Sequence, residues 1–160
     1  GRGMFGPARQ SPLKLNRPAA SNDERLEMLR LAIAGREDFS ICETELRREG
    51  PSYTIDTIRE LQRAGHIGAD PGLIIGDDLT ESFAAWKEYD TLRKMVQLVV
   101  ARREGSIDGA NLGSYEVVDN AVIPVSSSQI RERVRLQRAY RYLVPEPVYH
   151  FIEAHELYRT

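Results

Sequence analysis

The sequence predicts an α/β fold in which a mainly parallel sheet carries helices on both faces, and three observations indicate it. Short apolar strands alternate along the chain with amphipathic helical segments. One apolar strand, at 72–75, runs directly into a Gly-Asp-Asp sequence at 76–78. Another apolar run ends in serines and continues as a basic helix over 127–138. Because no internal repeat or boundary appears, we expect a single domain over residues 1–160.

The helices follow from capping signals and from apolar side chains at helical spacing. Ser21, with Glu24 three residues later, is a capping box that opens the first helix, and Gly35 ends it. A second helix is expected over 54–64, closed by Gly65. Further helices are expected over 79–86, 91–95 and 127–138, and from Pro145 onward.

Strands are expected where short runs of aliphatic and β-branched residues lie between turn signals. These runs cover 39–46, 72–75, 96–100, 115–118 and 121–125. The segment from Ala8 to Ala20 contains prolines and no apolar period, so we expect it to form a loop.

Composition and charge exclude several classes of protein. A chain of 160 residues with 41% hydrophobic and 29% charged residues is typical of a globular domain with its own core. The formal net charge of -2 provides no general attraction to nucleic acid or to an anionic membrane surface. The single Cys42 excludes an internal disulfide and favours a cytoplasmic location. Three scattered histidines show no metal-ligand spacing, so we expect no protein metal site.

The serine turn is the strongest local signal for function. A strand that breaks into Ser126, Ser127 and Ser128 and then becomes a helix leaves backbone N–H groups at the helix start, and these suit an anion. Arg131 adds a planar fork of donors that matches phosphate oxygens. A plain serine cap followed by a solvated basic face explains the same residues and, on local sequence alone, is the commoner case.

Several other motifs accompany the serine turn elsewhere in the chain. The motifs, in chain order, are Phe5 to Ala8, Ser11 to Lys14, Ala20 to Leu29, Glu49 to Thr57, Ile75 to Leu79 with Trp86 after it, Val125 to Arg131, and Arg141 to Pro145. Together they resemble the nicotinate-nucleotide adenylyltransferases of the nucleotidyltransferase superfamily, whose serine signature reads Ile-Ser-Ser-Thr-x-Ile-Arg. The resemblance implies a Rossmann-like nucleotidyltransferase fold, here without its first strand and helix.

The resemblance also implies an activity. Members of that family transfer the adenylyl group of ATP to nicotinate mononucleotide, which gives nicotinate adenine dinucleotide and pyrophosphate in NAD biosynthesis. Mg²⁺ would be carried by ATP. The family's loop with two phosphate-binding histidines would precede Phe5, so we expect this polypeptide to have little activity by itself. Gly65-His66-Ile67-Gly68-Ala69 imitates that loop but lacks the second histidine, and we interpret His66 as a surface residue.

Site residues follow from matching this sequence to the family motifs. Catalytic roles would fall to Ser127 and Arg131. ATP would be bound by Gly76, Asp78, Arg103, Ser127, Ser128 and Arg131. Nicotinate mononucleotide would be bound by Lys14, Tyr53, Thr54 and Trp86, with the indole stacked on the cationic pyridine ring and the helix start at Tyr53 and Thr54 facing the carboxylate.

Simpler explanations stay open for these residues. Trp86 could be a half-buried core residue, Asp78 a helix N-cap and Ser52 the cap of the helix that follows it. Lys14 and Arg103 could be solvated side chains. Rival functions are another nucleotidyltransferase, such as a pantetheine-phosphate adenylyltransferase, or a non-catalytic nucleotide-binding module. We expect no nucleic-acid or membrane partner, and the sequence allows a homo-oligomer.

Overall fold

A computed structural model of the chain describes residues 1–9, 20–103, 107 and 112–159. The helices are α1 (Asn22–Ala32), α2 (Thr44–Arg47), α3 (Thr54–Arg63), α4 (Thr80–Phe83), α5 (Tyr89–Met95), α6 (Ser127–Arg135) and α7 (Glu146–Ala154). The strands are β1 (Gly3–Phe5), β2 (Phe39–Ile41), β3 (Gly72–Gly76), β4 (Gln97–Ala101) and β5 (Glu116–Val118). Short 3₁₀ helices lie at Asp77–Leu79 and Arg141–Leu143. Within the described ranges, every helix is too short or too polar to cross a membrane.

The chain divides into two compact units. The first comprises Gly1–Ser52 and Val125–Thr160, and the second comprises Tyr53–Pro124. In the first unit β1 pairs with β2, and in the second β3, β4 and β5 pair in that order. All of these pairings are parallel, which confirms the predicted α/β class. A single domain over residues 1–160 stays a prediction.

The core of the second unit lies between its sheet and three helices. Ile75 and Val100 of the sheet pack with Ile55 of α3, Phe83 of α4 and other buried side chains. Because neighbouring side chains of a strand point to opposite faces, Ile74 lies on the other face of β3 and is 67% exposed. This packing fixes α3 and the carboxyl ends of β3 and β4 within one unit.

The core of the first unit is made mainly by helices α6 and α7. Ile130 and Val134 of α6 are buried against Val148 and Ile152 of α7, with Met28 of α1 packed at the side. These apolar positions on α6 are four residues apart, as one helix face requires. The packing therefore fixes α6 and leaves its serine start at the surface.

Helix α1 begins as predicted. Ser21 Oγ accepts a hydrogen bond from the N–H of Glu24 at 3.2 Å, and Glu24 Oε2 accepts one from the N–H of Ser21 at 2.6 Å. The predicted capping box is therefore confirmed. The helix ends at Ala32, shortly before Gly35, whose φ of +77° is the left-handed conformation that glycine adopts easily.

The strand predicted over 39–46 is wrong beyond Ile41. The N–H of Cys42 donates to the carbonyl of Phe5 at 2.8 Å, and the chain then turns into helix α2. The carboxylate of Glu43 accepts hydrogen bonds from Arg30 at 2.8 Å and Arg47 at 2.9 Å. The pair four residues apart, Glu43 and Arg47, favours a helical turn over continued strand.

The strand predicted over 121–125 is also wrong, because this segment has no regular structure. Val122 is 45% exposed and Ile123 is 71% exposed, so the apolar run is not a core strand. Pro124 has no N–H to donate to a strand ladder. The last strand of the second unit is therefore β5, which ends at Val118.

Helix α6 ends three residues earlier than predicted, at Arg135. Gln137 has a φ of +52°, and its N–H donates to the carbonyl of Val134 at 3.0 Å. The N–H of Arg138 donates to the carbonyl of Arg133 at 2.7 Å. These two bonds form a Schellman ending, which usually has glycine at the position that Gln137 occupies.

Candidate functional site

Helix α6 begins with a capping box. Ser126 Oγ accepts a hydrogen bond from the N–H of Gln129 at 3.2 Å, and Gln129 Oε1 accepts one from the N–H of Ser126 at 2.9 Å. The interpretation of a serine cap is therefore correct for Ser126. The N–H groups of Ser127 and Ser128 belong to the first turn, where no carbonyl of the helix can reach them. Both residues are exposed, so their donors and hydroxyls are accessible to an anion.

The side chain of Arg131 folds back toward this serine turn. Its Nη2 donates to Ser128 Oγ at 3.0 Å, and the residue is half-buried. The charge of Arg131 also acts on the phenol of Tyr158, near the end of the chain. Burial raises the pKa of Tyr158, and the positive charge of Arg131 opposes part of that rise. Ser127, Ser128 and Arg131, all predicted from sequence to bind phosphate, thus lie together in the first unit. Their donors suit the oxygens of a phosphate chain.

Three other residues predicted to bind ATP meet at the carboxyl ends of β3 and β4. Arg103 Nη1 donates to Asp78 Oδ2 at 3.0 Å, with 48% and 31% of the two side chains exposed. A Cβ at Gly76 would collide with the Asp78 carboxylate and with the stem of Arg103, so a larger residue there would require these two side chains to move. Asp78 lies inside the 3₁₀ helix that Gly76 precedes, so its interpretation as an N-cap is wrong.

Asn120, which the sequence interpretation missed, holds this edge in place. Its Oδ1 accepts from the N–H of Arg102 at 2.9 Å, and its Nδ2 donates to the carbonyl of Arg102 at 2.9 Å. The amide thereby occupies both backbone groups of the residue before Arg103. A lone asparagine after a short strand carries no signal for such a role, because its partner lies 18 residues away.

Helix α3 begins without a side-chain cap. Tyr53 is the N-cap residue, and its phenol makes no capping hydrogen bond. Ser52, the alternative cap, is also the wrong interpretation, since its buried Oγ has no hydrogen-bond partner among the described residues. The N–H groups of Thr54 and Ile55 therefore lie at the positive end of a ten-residue helix whose N-cap side chain makes no capping hydrogen bond. Such a helix start suits a carboxylate.

Trp86 lies just after helix α4, at the rim of the core of the second unit. Its ring meets Phe83 edge-on, with the ring centroids 5.0 Å apart. The residue is half-buried, which agrees with the simpler explanation and still leaves part of the indole accessible. Its Nε1 is buried and has no hydrogen-bond partner among the described residues. A buried unpaired N–H costs about 1–3 kcal/mol, so this placement of the indole is not the one of lowest energy for the ring alone.

Lys87, the residue after Trp86, contacts the first turn of α3. Lys87 Nζ lies 2.8 Å from Asp56 Oδ2 and 4.8 Å from the centre of the Tyr53 ring. A lysine over an aromatic face is a favourable cation–π contact. The contact brings the segment that carries Trp86 next to the start of α3, and the family motifs assign both places to nicotinate mononucleotide. The linking role of Lys87 is the part that the sequence interpretation missed.

A second ion pair joins the same two segments. Arg59 of α3 donates to both carboxylate oxygens of Glu88, at 2.9 and 2.6 Å. The hydrogen bonds from Arg59 hold the pKa of Glu88 below its ordinary value. The partners are 29 residues apart in sequence, so no local pattern could have identified the pair.

Two further residues named from the sequence are Lys14 and His66. Lys14 lies outside the described residues. His66 is exposed just past the end of α3, as predicted. Within 1–9, 20–103, 107 and 112–159, no three or more His, Cys, Asp or Glu side chains are grouped so that they could hold a metal ion. A Mg²⁺ ion carried by the phosphates of ATP stays a prediction.

Comparison with known sequences adds a family. The family model described as cytidylyltransferase-like matches residues 4–133. A protein of Geobacillus thermodenitrificans named "Probable nicotinate-nucleotide adenylyltransferase" is 43% identical over 157 residues, which cover 96% of this chain and 70% of that protein. A protein of the same name from Salinibacter ruber is 34% identical and is covered over 80% of its length.

Comparison with solved structures supports the fold. The chain resembles Plasmodium falciparum nicotinic acid mononucleotide adenylyltransferase complexed with NaAD, with a TM-score of 0.75 and 17% identity. That match covers 98% of this chain and 82% of the other. A second structure of the Plasmodium protein, complexed with APC, gives a TM-score of 0.70 with 16% identity, over 97% of this chain and 95% of that one. The α/β arrangement expected from the sequence motifs is therefore confirmed.

Proposed function

The chain belongs to the cytidylyltransferase-like family and, within it, to the nicotinate-nucleotide adenylyltransferases, and from that premise we propose that it transfers the adenylyl group of ATP to nicotinate mononucleotide. In this reaction a phosphate oxygen of nicotinate mononucleotide attacks the α-phosphorus of ATP. The bond from that phosphorus to the β-phosphate oxygen breaks, and pyrophosphate leaves. The product is nicotinate adenine dinucleotide, an intermediate of NAD biosynthesis.

The observation that carries the proposal is the uncapped start of α3 beside the segment of Trp86. Nicotinate mononucleotide joins a carboxylate to a pyridine ring that is a planar cation once it carries a ribose. The helix start at Tyr53 and Thr54 provides N–H donors for the carboxylate. The accessible part of the indole provides an electron-rich face for the cation. Lys87, the residue after Trp86, contacts Asp56 and the Tyr53 ring and so ties the segment of Trp86 to the first turn of α3.

ATP is proposed to use the other two clusters. Ser127, Ser128 and Arg131 offer backbone N–H groups, hydroxyls and a guanidinium to the phosphates. Gly76 and Asp78 lie at the carboxyl edge of a parallel sheet, the usual place for a nucleotide in open α/β sheets. The ion pair with Arg103 engages Oδ2 of Asp78, so Oδ1 is the oxygen proposed to accept a hydrogen bond from a ribose hydroxyl.

Catalysis is proposed to depend on positioning and on neutralising charge. Adenylyl transfer needs an in-line approach and stabilisation of the charge on the phosphate oxygens, with no covalent enzyme intermediate. Arg131 would stabilise that charge, and Ser127 would orient the phosphate chain with its N–H and hydroxyl. Mg²⁺ bound to the ATP phosphates would supply further charge neutralisation. Lys14 stays our candidate for the phosphate of nicotinate mononucleotide.

Calorimetric titration of the 160-residue protein tests the proposal. We expect nicotinate mononucleotide and ATP each to bind to one site, and pantetheine phosphate not to compete with nicotinate mononucleotide. Chromatography of a reaction with ATP, Mg²⁺ and nicotinate mononucleotide then measures the dinucleotide product. The low activity of the isolated polypeptide stays a prediction that this assay also measures, and so does its preference for nicotinate over nicotinamide mononucleotide.

Three results of this experiment would contradict the proposal. Stronger binding of pantetheine phosphate would favour the related adenylyltransferase. Binding of ATP without any binding of nicotinate mononucleotide would favour a non-catalytic nucleotide-binding module. Absence of binding by either substrate would remove the assignment of both sites. A cytoplasmic location is part of the proposal, since Cys42, the single cysteine, is a free thiol.

A further inference from the structure

The loop that follows Trp86 is tied to helix α3 by two ion pairs of different geometry. Arg59 binds both oxygens of Glu88, at 2.9 and 2.6 Å, which is the two-pronged arrangement with the best-defined direction. Lys87 makes a single contact with Asp56, at 2.8 Å. Helix α3 contributes one basic and one acidic partner, and so does the loop after Trp86. The two segments are therefore joined by specific pairs and not by a general attraction between opposite net charges.

Glu88 adopts a backbone conformation that favours glycine. Glu88 has a φ of +52° and a ψ of +43°, the left-handed conformation in which glycine has no steric penalty. This residue precedes helix α5, and its carbonyl accepts the N–H groups of Thr91 and Leu92, both at 2.9 Å. Glycine would make the same turn with less strain but would lose both hydrogen bonds to Arg59.

We propose that Arg59 and Glu88 are positioning residues, which set the place of the Trp86 indole relative to the carboxylate-binding start of α3. This inference rests on the proposed function for its consequence in substrate binding. The ring and the carboxylate of nicotinate mononucleotide are joined rigidly, so both must meet their partners at one fixed spacing. A displacement of ~1 Å between the two partners would weaken both contacts at once.

The pair acts on Trp86 through a short and stiff connection. Only Lys87 separates Trp86 from Glu88, and the N–H of Tyr89 donates to the carbonyl of Trp86 at 3.2 Å. The other side of this segment is fixed by the edge-on contact of the indole with Phe83 of α4, at 5.0 Å between ring centroids. The side chains of Arg59 and Glu88 are 32% and 41% exposed, which limits the strength of the pair. We therefore expect a moderate effect on affinity rather than a loss of folding.

Charge reversal and exchange test the proposal, with Trp86 as the reporter. The chain has one tryptophan, so its fluorescence reports on this position alone. Arg59→Glu and Glu88→Arg each place like charges opposite one another, and the double variant restores opposite charges. Arg36→Glu is the matched control, because Arg36 makes a similar two-pronged pair with Asp38, at 3.0 and 2.9 Å, in the first unit.

We expect each single variant to shift the Trp86 emission to longer wavelength, to increase quenching by acrylamide, and to raise the Kd for nicotinate mononucleotide about fivefold. The Kd for ATP and the melting temperature should change little. The double variant should recover most of both signals, and Arg36→Glu should alter neither.

Unchanged Trp86 fluorescence in both single variants would overturn the proposal, whatever the substrate affinity. Failure of the double variant to recover, with an intact melting transition, would also overturn it. Failure of the proposed function has a different signature. In that case the fluorescence of the single variants changes and recovers as described, and the unaltered protein does not bind nicotinate mononucleotide.

Discussion

Helices α3 and α6 both begin at proposed anion sites, and they begin in opposite ways. At α6 the side chains of Ser126 and Gln129 satisfy two backbone N–H groups. At α3 the N-cap residue is Tyr53, which provides no capping hydrogen bond. The uncapped start leaves more donors for a ligand and gives up the stability that a cap provides, about 1 kcal/mol.

Helix α1 begins with the same kind of capping box as α6. Ser21 and Glu24 form the same box of hydrogen bonds, with a carboxylate in place of the amide of Gln129. A carboxylate at that position would repel a phosphate, whereas the neutral Gln129 would not. A capped helix start is therefore expected to suit an anion when its capping side chains are neutral.

Replacing Trp86 should give the largest effect at the α3 site. We expect Trp86→Ala to weaken nicotinate mononucleotide binding by about 2 kcal/mol, roughly thirtyfold, because stacking on the ring is lost. ATP affinity should change by less than about twofold, and calorimetry measures both. Trp86→Phe is the control that keeps an aromatic face. Equal weakening of both substrates would show that the residue supports the fold rather than the ring site.

Replacing Arg131 should affect the α6 site in the same selective way. We expect Arg131→Lys to weaken ATP binding about tenfold, because lysine keeps the charge and loses the planar fork. Nicotinate mononucleotide affinity should stay close to its original value. Arg135→Lys is the control on the same helix, since Arg135 pairs with Glu132 at 2.7 Å. An equal loss in both variants would contradict a local role for Arg131.

Adding a cap to α3 should make the two helix starts alike. We expect Tyr53→Asp to stabilise the protein by up to about 1 kcal/mol, as aspartate caps do. The same change should weaken nicotinate mononucleotide binding about tenfold, because the new carboxylate accepts hydrogen bonds from the N–H groups at the start of α3 and repels the carboxylate of the ligand. Tyr53→Ala separates this effect from loss of the ring. Urea unfolding and calorimetry measure the two quantities, and tighter binding by Tyr53→Asp would refute the proposed carboxylate site.

The smallest expected effect concerns pH and distinguishes the capping boxes of α1 and α6. The N–H of Ser21 holds the pKa of Glu24 below its ordinary value of 4.5. A lowered folded-state pKa stabilises the protein above pH 4.5, and this stabilisation disappears as the pH falls through the lowered pKa. We expect Glu24→Gln to lower the free energy of unfolding by about 0.5 kcal/mol at neutral pH and to leave it unchanged at strongly acid pH. Gln129→Ala should lower the free energy of unfolding equally at both pH values, as urea unfolding would show.

The sequence predicted those parts of the fold that depend on neighbouring residues. The box of Ser21 and Glu24 and the ending of α3 at Gly65, with a φ of +70°, both follow from local patterns. The sequence placed the end of α6 too late because Gln137 adopts a φ of +52° at a position where helix endings usually have glycine. Helix α2 was missed because Glu43 and its partners Arg30 and Arg47 favour a turn that β-propensity does not report.

The candidate site divides in the same way. Ser127, Ser128 and Arg131 lie within five positions of one another, so the sequence could predict their cluster. The contact of Lys87 with Asp56 joins residues 31 apart, and such contacts depend on how helices pack on the sheet. The family motifs therefore grouped Trp86 with Tyr53 and Thr54 in advance, whereas the contacts that join their two segments came only from the structure.

The most direct test of the proposed activity is a fluorescence titration of Trp86 with nicotinate mononucleotide. Stacking of a pyridinium ring on the indole should quench the emission of this single tryptophan with a saturable curve. Pantetheine phosphate at the same concentrations should leave the emission unchanged. A linear, non-saturating response to nicotinate mononucleotide, or a saturable response to pantetheine phosphate, would contradict the assignment of the acceptor site and with it the proposed reaction.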